Sequence, residues 1–239
     1  MSRLAEYRLF LREFRRTFRT TGAIAPSGTA LARALARFVA QPGGLKESVK
    51  SGETGDVGDS GDSEGGDSEG GHGRRILEVG PGTGAVTRQI VSAMRPGDRL
   101  DLVELNEVFV AQLREALRTD PVLAPSAERI EIHHRPVEEL QPAAAYELII
   151  SGLPLNNFEV AEVEAVFDVF SGLAAPQSVL SFFEYVAIRR LKAIASPAAQ
   201  RTRLRGIGDL LRRRLEGREI RRELIWRNAP PAWVHHVRI

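Results

Sequence analysis

Cysteine is absent from the 239-residue chain. That excludes a disulfide framework and any zinc site built on thiolates, and it suits a reducing cytosol. Long apolar runs are missing too: none approaches the ~20 residues needed to cross a bilayer. The N-terminus, MSRLAEYRLFLREFRR, breaks its apolar residues with charge every few positions and reads as something other than a signal peptide. What is present is enough to bury a core, with 43% apolar and 27% charged residues.

The net charge of +2 hides a segregation: residues 1–40 carry +6, residues 41–73 carry −6 and residues 187–239 carry +10. Two basic ends around an acidic middle fit a polyanionic partner, either nucleic acid or anionic lipid. Gln41 to Gly73 holds 11 of the 22 glycines and almost no apolar bulk. It is expected to be a disordered acidic insertion, since it cannot bury enough surface to offset its ordering entropy. Its carboxylates lack the spacing of a calcium loop.

Leu4, Tyr7, Phe10, Leu11, Phe14 and Phe18 recur at spacings of three and four, so residues 1–20 are predicted to form an amphipathic helix flanked by arginines. A second helix is expected through Ala40, with Ser27 as its N-cap. From Arg74 onward, apolar strands (Ile76–Val79, Leu100–Glu104, Ile130–His134, Leu148–Ser151, Val179–Phe183) alternate with helical patterns at Ala85–Met94, Val108–Leu117, Ala161–Phe170 and about Val186–Ile194. Alternation of this kind implies an α/β fold with a parallel sheet covered on both faces. Glu223–Arg227 and Trp233–Ile239 flank Asn228-Ala229-Pro230-Pro231-Ala232 and read as an antiparallel pair closing the sheet. The very basic stretch 196–222 reads as a helical insertion.

The strongest chemical signal is Ile76-Leu77-Glu78-Val79-Gly80-Pro81-Gly82-Thr83-Gly84, a strand entering a glycine turn that opens a helix. Its Glu-x-Gly-x-Gly-x-Gly spacing differs from the Gly-x-Gly-x-x-Gly of pyrophosphate binders. A carboxylate, Glu104, ends the next strand ahead of Leu105 and could accept both hydroxyls of a ribose. A packing turn in a plain doubly wound domain and a nicotinamide site are the competing readings. Glu78 to Gly84 and Glu104 together resemble motifs I and II of class I S-adenosylmethionine-dependent methyltransferases. The resemblance implies a Rossmann-like, seven-stranded sheet with its last strand antiparallel. It also implies S-adenosyl-L-methionine as cofactor, with Glu78, Gly80, Pro81, Gly82, Thr83, Gly84, Glu104, Leu105, Val137 and Ser151 as its contacts.

After the fourth strand comes Ser151-Gly152-Leu153-Pro154-Leu155. Adenine-N6 methyltransferases, the ribosomal RNA dimethylases among them, carry a tetrapeptide like Asn-Leu-Pro-Tyr here. Gly152 replaces the Asn and Leu155 the stacking aromatic, which counts against a nucleobase. Taken with Arg19-Thr20-Thr21-Gly22-Ala23-Ile24-Ala25-Pro26-Ser27 and Leu180-Ser181-Phe182-Phe183-Glu184-Tyr185, the sequence resembles bacterial phospholipid N-methyltransferases of the membrane-surface type. That resemblance implies methylation of the amine of phosphatidylethanolamine or an ornithine lipid. It places Ser151, Gly152, Leu153 and Tyr185 at the reacting amine and Ile24 and Ser27 at the cofactor. It also implies an enzyme bound peripherally, through its N-terminal helix, to an anionic membrane at the inner face of the cell. Phe158, Phe183 and Tyr185 are candidate aromatic faces for a cationic product. Competing functions are an RNA adenine dimethylase and a non-catalytic protein that docks on membranes. The pairs His133-His134 and His235-His236 point their members to opposite faces of a strand, so no metal is expected from either.

Overall fold

Five short, mostly apolar runs become the centre of a seven-stranded sheet, and the computed structural model describes residues 28–41, 73–186, 198–228 and 230–239. The elements are α1 (Thr29–Leu35), β1 (Arg75–Val79), α2 (Ala85–Ala93), β2 (Arg99–Val103), α3 (Glu107–Thr119), β3 (Ile130–His133), β4 (Tyr146–Ser151), α4 (Val160–Leu173), β5 (Ala174–Tyr185), α5 (Ala198–Leu215), β6 (Glu219–Ile225) and β7 (Ala232–Arg238). Strand order is β3-β2-β1-β4-β5-β7-β6. The first five strands pair in parallel, and β7 is antiparallel to both β5 and β6. This is the expected α/β, Rossmann-like sheet.

Burial on both faces explains why the central strands read as continuous apolar runs rather than alternating ones. Ile76, Leu100, Leu102, Leu148, Ile150 and Phe183 join α1 and α2 in one core, while Leu77, Val79, Ile149, Leu180 and Phe182 join α4 and α5 in the other. Helix α4 starts at a capping box in which Glu159 and Glu162 each accept the other's backbone N–H.

Several boundaries move. The second helix begins one residue later than expected, with Gly28 and not Ser27 at its N-cap; Ser27 and Ile24 lie outside the described residues. Leu31, Leu35, Phe38 and Val39 are buried in the core, so residues 28–39 form part of the sheet's covering layer. The basic stretch 196–222 is no insertion where it is described. Leu204, Ile207, Leu210 and Leu211 bury one face of α5 as the crossover between β5 and β6, and Glu219–Arg222 already belong to β6. The acidic segment 42–72, the N-terminal helix and the predicted helix at Val186–Ile194, beyond Val186 itself, fall outside the described residues.

The β3–β4 crossover contains only a short turn, Val137–Glu139, and leaves the outer half of one sheet face polar. Asp101 there accepts from Arg75 and from the Tyr146 hydroxyl, both at 2.6 Å. Asp101, Glu131 and His133 bring one ligand atom each within 4.8 Å of one another. However, Arg75, Arg99, Arg129 and Arg135 line the same cavity of about 560 Å³, which disfavours an added cation.

The two last histidines do face opposite ways. His235 stacks on Phe182 at 5.0 Å, whereas His236 lies 4.7 Å from Phe38 with its Nδ1 2.8 Å from the Ser181 hydroxyl. Burial lowers the His236 pKa to about 4, against the pull of Glu223. The unfolded chain therefore binds a proton below the ordinary histidine pKa that the folded chain refuses. Stability should fall by about 3 kcal/mol as pH drops from about 6.5 to about 4. Urea midpoints against pH should show that slope, and His236→Gln should flatten it; an unchanged slope in the variant would contradict the assignment.

Candidate functional site

The carboxyl edge of β1 turns through three left-handed glycines, Gly80 (φ 73°), Gly82 (φ 55°) and Gly84 (φ 79°). Such angles strain any residue with a Cβ. Gly84 is the N-cap of α2, and its N–H donates to Pro81 O at 2.9 Å. Gly80 N–H donates to Val103 O at 2.9 Å, which hangs the turn from β2. A Cβ on Gly82 would meet nothing within 4 Å, so this part of the turn leaves its backbone approachable. Pro81 is buried under the turn and Thr83 is exposed beside it.

Glu104 closes the other side. Its Oε2 accepts from Gly82 N–H at 3.0 Å, and its Oε1 accepts from Leu105 and Asn106 N–H at 2.8 Å each. Asn106 in turn caps α3 through Val108 N–H. The strand–helix turn thus fixes the carboxylate against the glycine turn. Burial raises its pKa, while the three N–H donors pull it down.

Glu78 is fully buried on β1, and neither carboxylate oxygen makes a hydrogen bond of normal geometry among the described residues. Burial pushes its pKa up to about 8; the Thr87 hydroxyl opposes this and the charge of Glu104 adds to it. An orphaned buried carboxyl is costly, and its presence calls for a ligand that supplies a donor or a positive charge.

At the end of β4, Gly152 N–H donates to Val79 O at 2.8 Å, and a Cβ on Gly152 would stand 2.5 Å from Gly80 O. The β1 and β4 turns are therefore packed backbone to backbone, and glycine is required there. Leu153 covers Gly80, and the fully buried Ser151 hydroxyl accepts from Leu153 N–H at 3.3 Å. Leu155 is 1% exposed, a core residue rather than a platform. Phe158 and Phe183, candidates for a cationic product, are core residues as well. Tyr185 ends β5 on the face that α1 covers, with its ring 5.0 Å from that of Phe183, and burial raises its pKa. Val137 lies past the end of β3 with its side chain in the core.

The structure thus gathers Glu78, the glycine turn, Glu104 and Leu105 with the Ser151–Leu153 turn on one edge. Sequence reading missed Asn156, which is 3% exposed and donates through Nδ2 to Tyr185 O at 3.2 Å. That bond fixes the amide's orientation and leaves Oδ1 buried without a hydrogen-bond partner. The Asn156-Asn157 pair set between Leu155 and Phe158 was the available signal.

The geometry suits a nucleoside: a carboxylate at the end of β2 for a vicinal diol, an open glycine turn for close approach, and a buried acid for a cationic group. Residues 76–177 match the family described as "Methyltransferase domain". A tRNA1(Val) (adenine(37)-N6)-methyltransferase of Klebsiella pneumoniae is 35% identical over 85 residues, 34% of this chain and 32% of that protein. The chain therefore spans about a third of the length of the curated relatives it matches. Among solved structures, the O-methyltransferase TomG from Streptomyces achromogenes aligns with a TM-score of 0.53 and 18% identity over 99% of this chain and 90% of that one. An O-methyltransferase from Bacillus cereus aligns with a TM-score of 0.52 and 16% identity over 70% and 74%. The fold is that of the Rossmann-like class I methyltransferases, and residues 76–177 are the stretch that matches a methyltransferase-domain family.

Proposed function

We propose that this chain is an S-adenosylmethionine-dependent N-methyltransferase whose acceptor is the amine head group of a membrane aminolipid. Glu104 would hold the ribose hydroxyls, the Gly80–Gly84 turn would back the methionine portion, and Glu78 would face its positive charge. When bound, the cofactor supplies an electrophilic methyl group. The acceptor amine must lose a proton before attack, since a primary ammonium has a pKa near ~10. The chain's own contribution is to orient that nitrogen by the carbonyls of Ser151, Gly152 and Leu153 and to receive a growing cation beside the Tyr185 ring. Tyr185 is a neutral phenol at physiological pH, its pKa raised by burial, so it would not act as the base.

The observation that carries the choice of an aliphatic amine is the backbone packing of Gly152 against Gly80, together with the burial of Leu155. A side-chain amide has no room at the first position and no ring exists at the second, so an adenine would find neither its clamp nor its stacking partner. The resemblance of Ser-Gly-Leu-Pro-Leu to lipid enzymes supports the same reading. Local similarity to tRNA adenine-N6 methyltransferases favours RNA as the second reading. Expression in a bacterium without methylated lipids, followed by lipid mass spectrometry, separates the two. Methylated phosphatidylethanolamine or ornithine lipid is expected; an unchanged lipid profile with new N6-methyladenine in RNA would reverse the choice.

Glu78 gives a further expected result. With its pKa pushed up to about 8, it is mostly protonated at neutral pH and ionises when a positive charge is placed against it. Cofactor binding at pH 7.5 should therefore release at most about three-quarters of a proton, and affinity should rise toward pH 8. Calorimetry in buffers of different ionisation enthalpy reads this directly. Glu78→Gln should abolish the buffer dependence, whereas a wild-type enthalpy that ignores the buffer would remove Glu78 from the cofactor.

A further inference from the structure

Trp226 is 71% exposed at the tip of the β6–β7 hairpin, the most exposed large apolar side chain among the described residues. Topology decides where that tip lies. β6 is antiparallel to β7 and β7 to β5, so β6 runs in the same direction as β1, β4 and β5. Its end at Ile225 therefore lies on the sheet edge that carries the glycine turn and the Ser151–Leu153 turn. Two hydrogen bonds hold the tip there, Val186 N–H to Pro231 O at 2.9 Å and Gly28 N–H to Asn228 Oδ1 at 3.1 Å, and a third, Asn228 Nδ2 to Pro230 O at 2.8 Å, closes the turn on itself. Asn228 is buried, and Trp226 and Arg227 beside it both face solvent. Farther along β6, Arg222 is exposed with its guanidinium 4.0 Å above the Trp233 ring, while Arg221 on the opposite face pairs with Glu223 at 2.9 Å.

We propose, resting on the aminolipid reading, that this tip is an interfacial anchor for an anionic bilayer. Trp226 enters the head-group layer, Arg227 meets lipid phosphates, and the catalytic edge is thereby held at the level of the lipid amine. An indole has an apolar body and one N–H donor, and it partitions to the membrane–water boundary. Exposed arginines supply charge complementarity to an anionic surface. A stacked nucleic acid base would suit a tryptophan as well. The same edge, however, carries Gly152 and the buried Leu155 where adenine enzymes place their amide and their ring, which favours the bilayer.

The test uses the full chain and its own fluorescence. Trp233→Phe leaves Trp226 as the sole tryptophan. Vesicles of phosphatidylethanolamine with phosphatidylglycerol should shift its emission to the blue and protect it from iodide. Trp226→Ala should weaken vesicle sedimentation at least fivefold, and Arg227→Gln should do so less and in a salt-dependent way. Cofactor affinity and thermal stability should not change in either. Sedimentation without a fluorescence change, no binding to vesicles at all, or a response to tRNA but not to vesicles would each overturn the anchor. A Trp226 shift on vesicles whose lipids are never methylated would leave the anchor standing and remove the aminolipid reading.

Discussion

Replacing Glu104 by alanine is expected to weaken S-adenosylmethionine binding roughly 5- to 150-fold, equivalent to about 1–3 kcal/mol for charged hydrogen bonds. The carboxylate is fixed by Gly82, Leu105 and Asn106 N–H groups, so under the proposed assignment it would meet a ribose without reorganisation. The same bonds tie the glycine turn to β2, and alanine should also lower the unfolding midpoint. Glu104→Gln separates the two effects, because an amide oxygen can still accept from Gly82 while the charge is lost. Calorimetry that gives the alanine variant wild-type affinity would remove Glu104 from the cofactor site.

Gly152→Ala should be the most disruptive small substitution at the site. Its Cβ would stand 2.5 Å from Gly80 O and 3.4 Å from Val79 O, both backbone atoms that no rotamer change can move. β1 and β4 must part, which loses the Gly152 N–H bond to Val79 O. Overpacking and the lost bond together cost about 3 kcal/mol. That corresponds to a fall of about 10 °C in the melting temperature for a domain of this size. Gly82→Ala is the comparison: its Cβ meets nothing, and only the positive φ is strained, at about 1–2 kcal/mol. Equal melting temperatures for the two variants would contradict the backbone packing described here.

How much of this was legible depends on range along the chain. The strand, glycine turn and helix from Ile76 to Ala93 announce themselves through neighbours in sequence, and Glu104 is found by its place at the end of the next apolar run. The role of Gly152 was not visible. Its requirement for glycine comes from Gly80, seventy-two residues away in the chain, through a contact that only the parallel pairing of β1 with β4 creates. Residues 196–222 misled for a related reason. Their arginines dominate the composition, yet Leu204, Ile207, Leu210 and Leu211 form the stripe that packs on the sheet, and that stripe is what makes α5 a crossover. Asn228 shows the same limit, since its tie to Gly28 joins opposite ends of the chain. Within β6–β7 the hairpin was readable from Asn228 and the prolines, while the exposure of Trp226 was not.

The central claim, methyl transfer from S-adenosylmethionine to an aminolipid nitrogen, is tested most directly by giving the purified chain methyl-labelled cofactor together with phosphatidylethanolamine vesicles and bulk RNA in one reaction. Label in the lipid phase, as N-methylated head groups resolved by mass spectrometry, is the expected result, and Glu104→Ala should abolish it at limiting cofactor. Label confined to adenine N6 in the RNA, with the lipid unmodified, would contradict it.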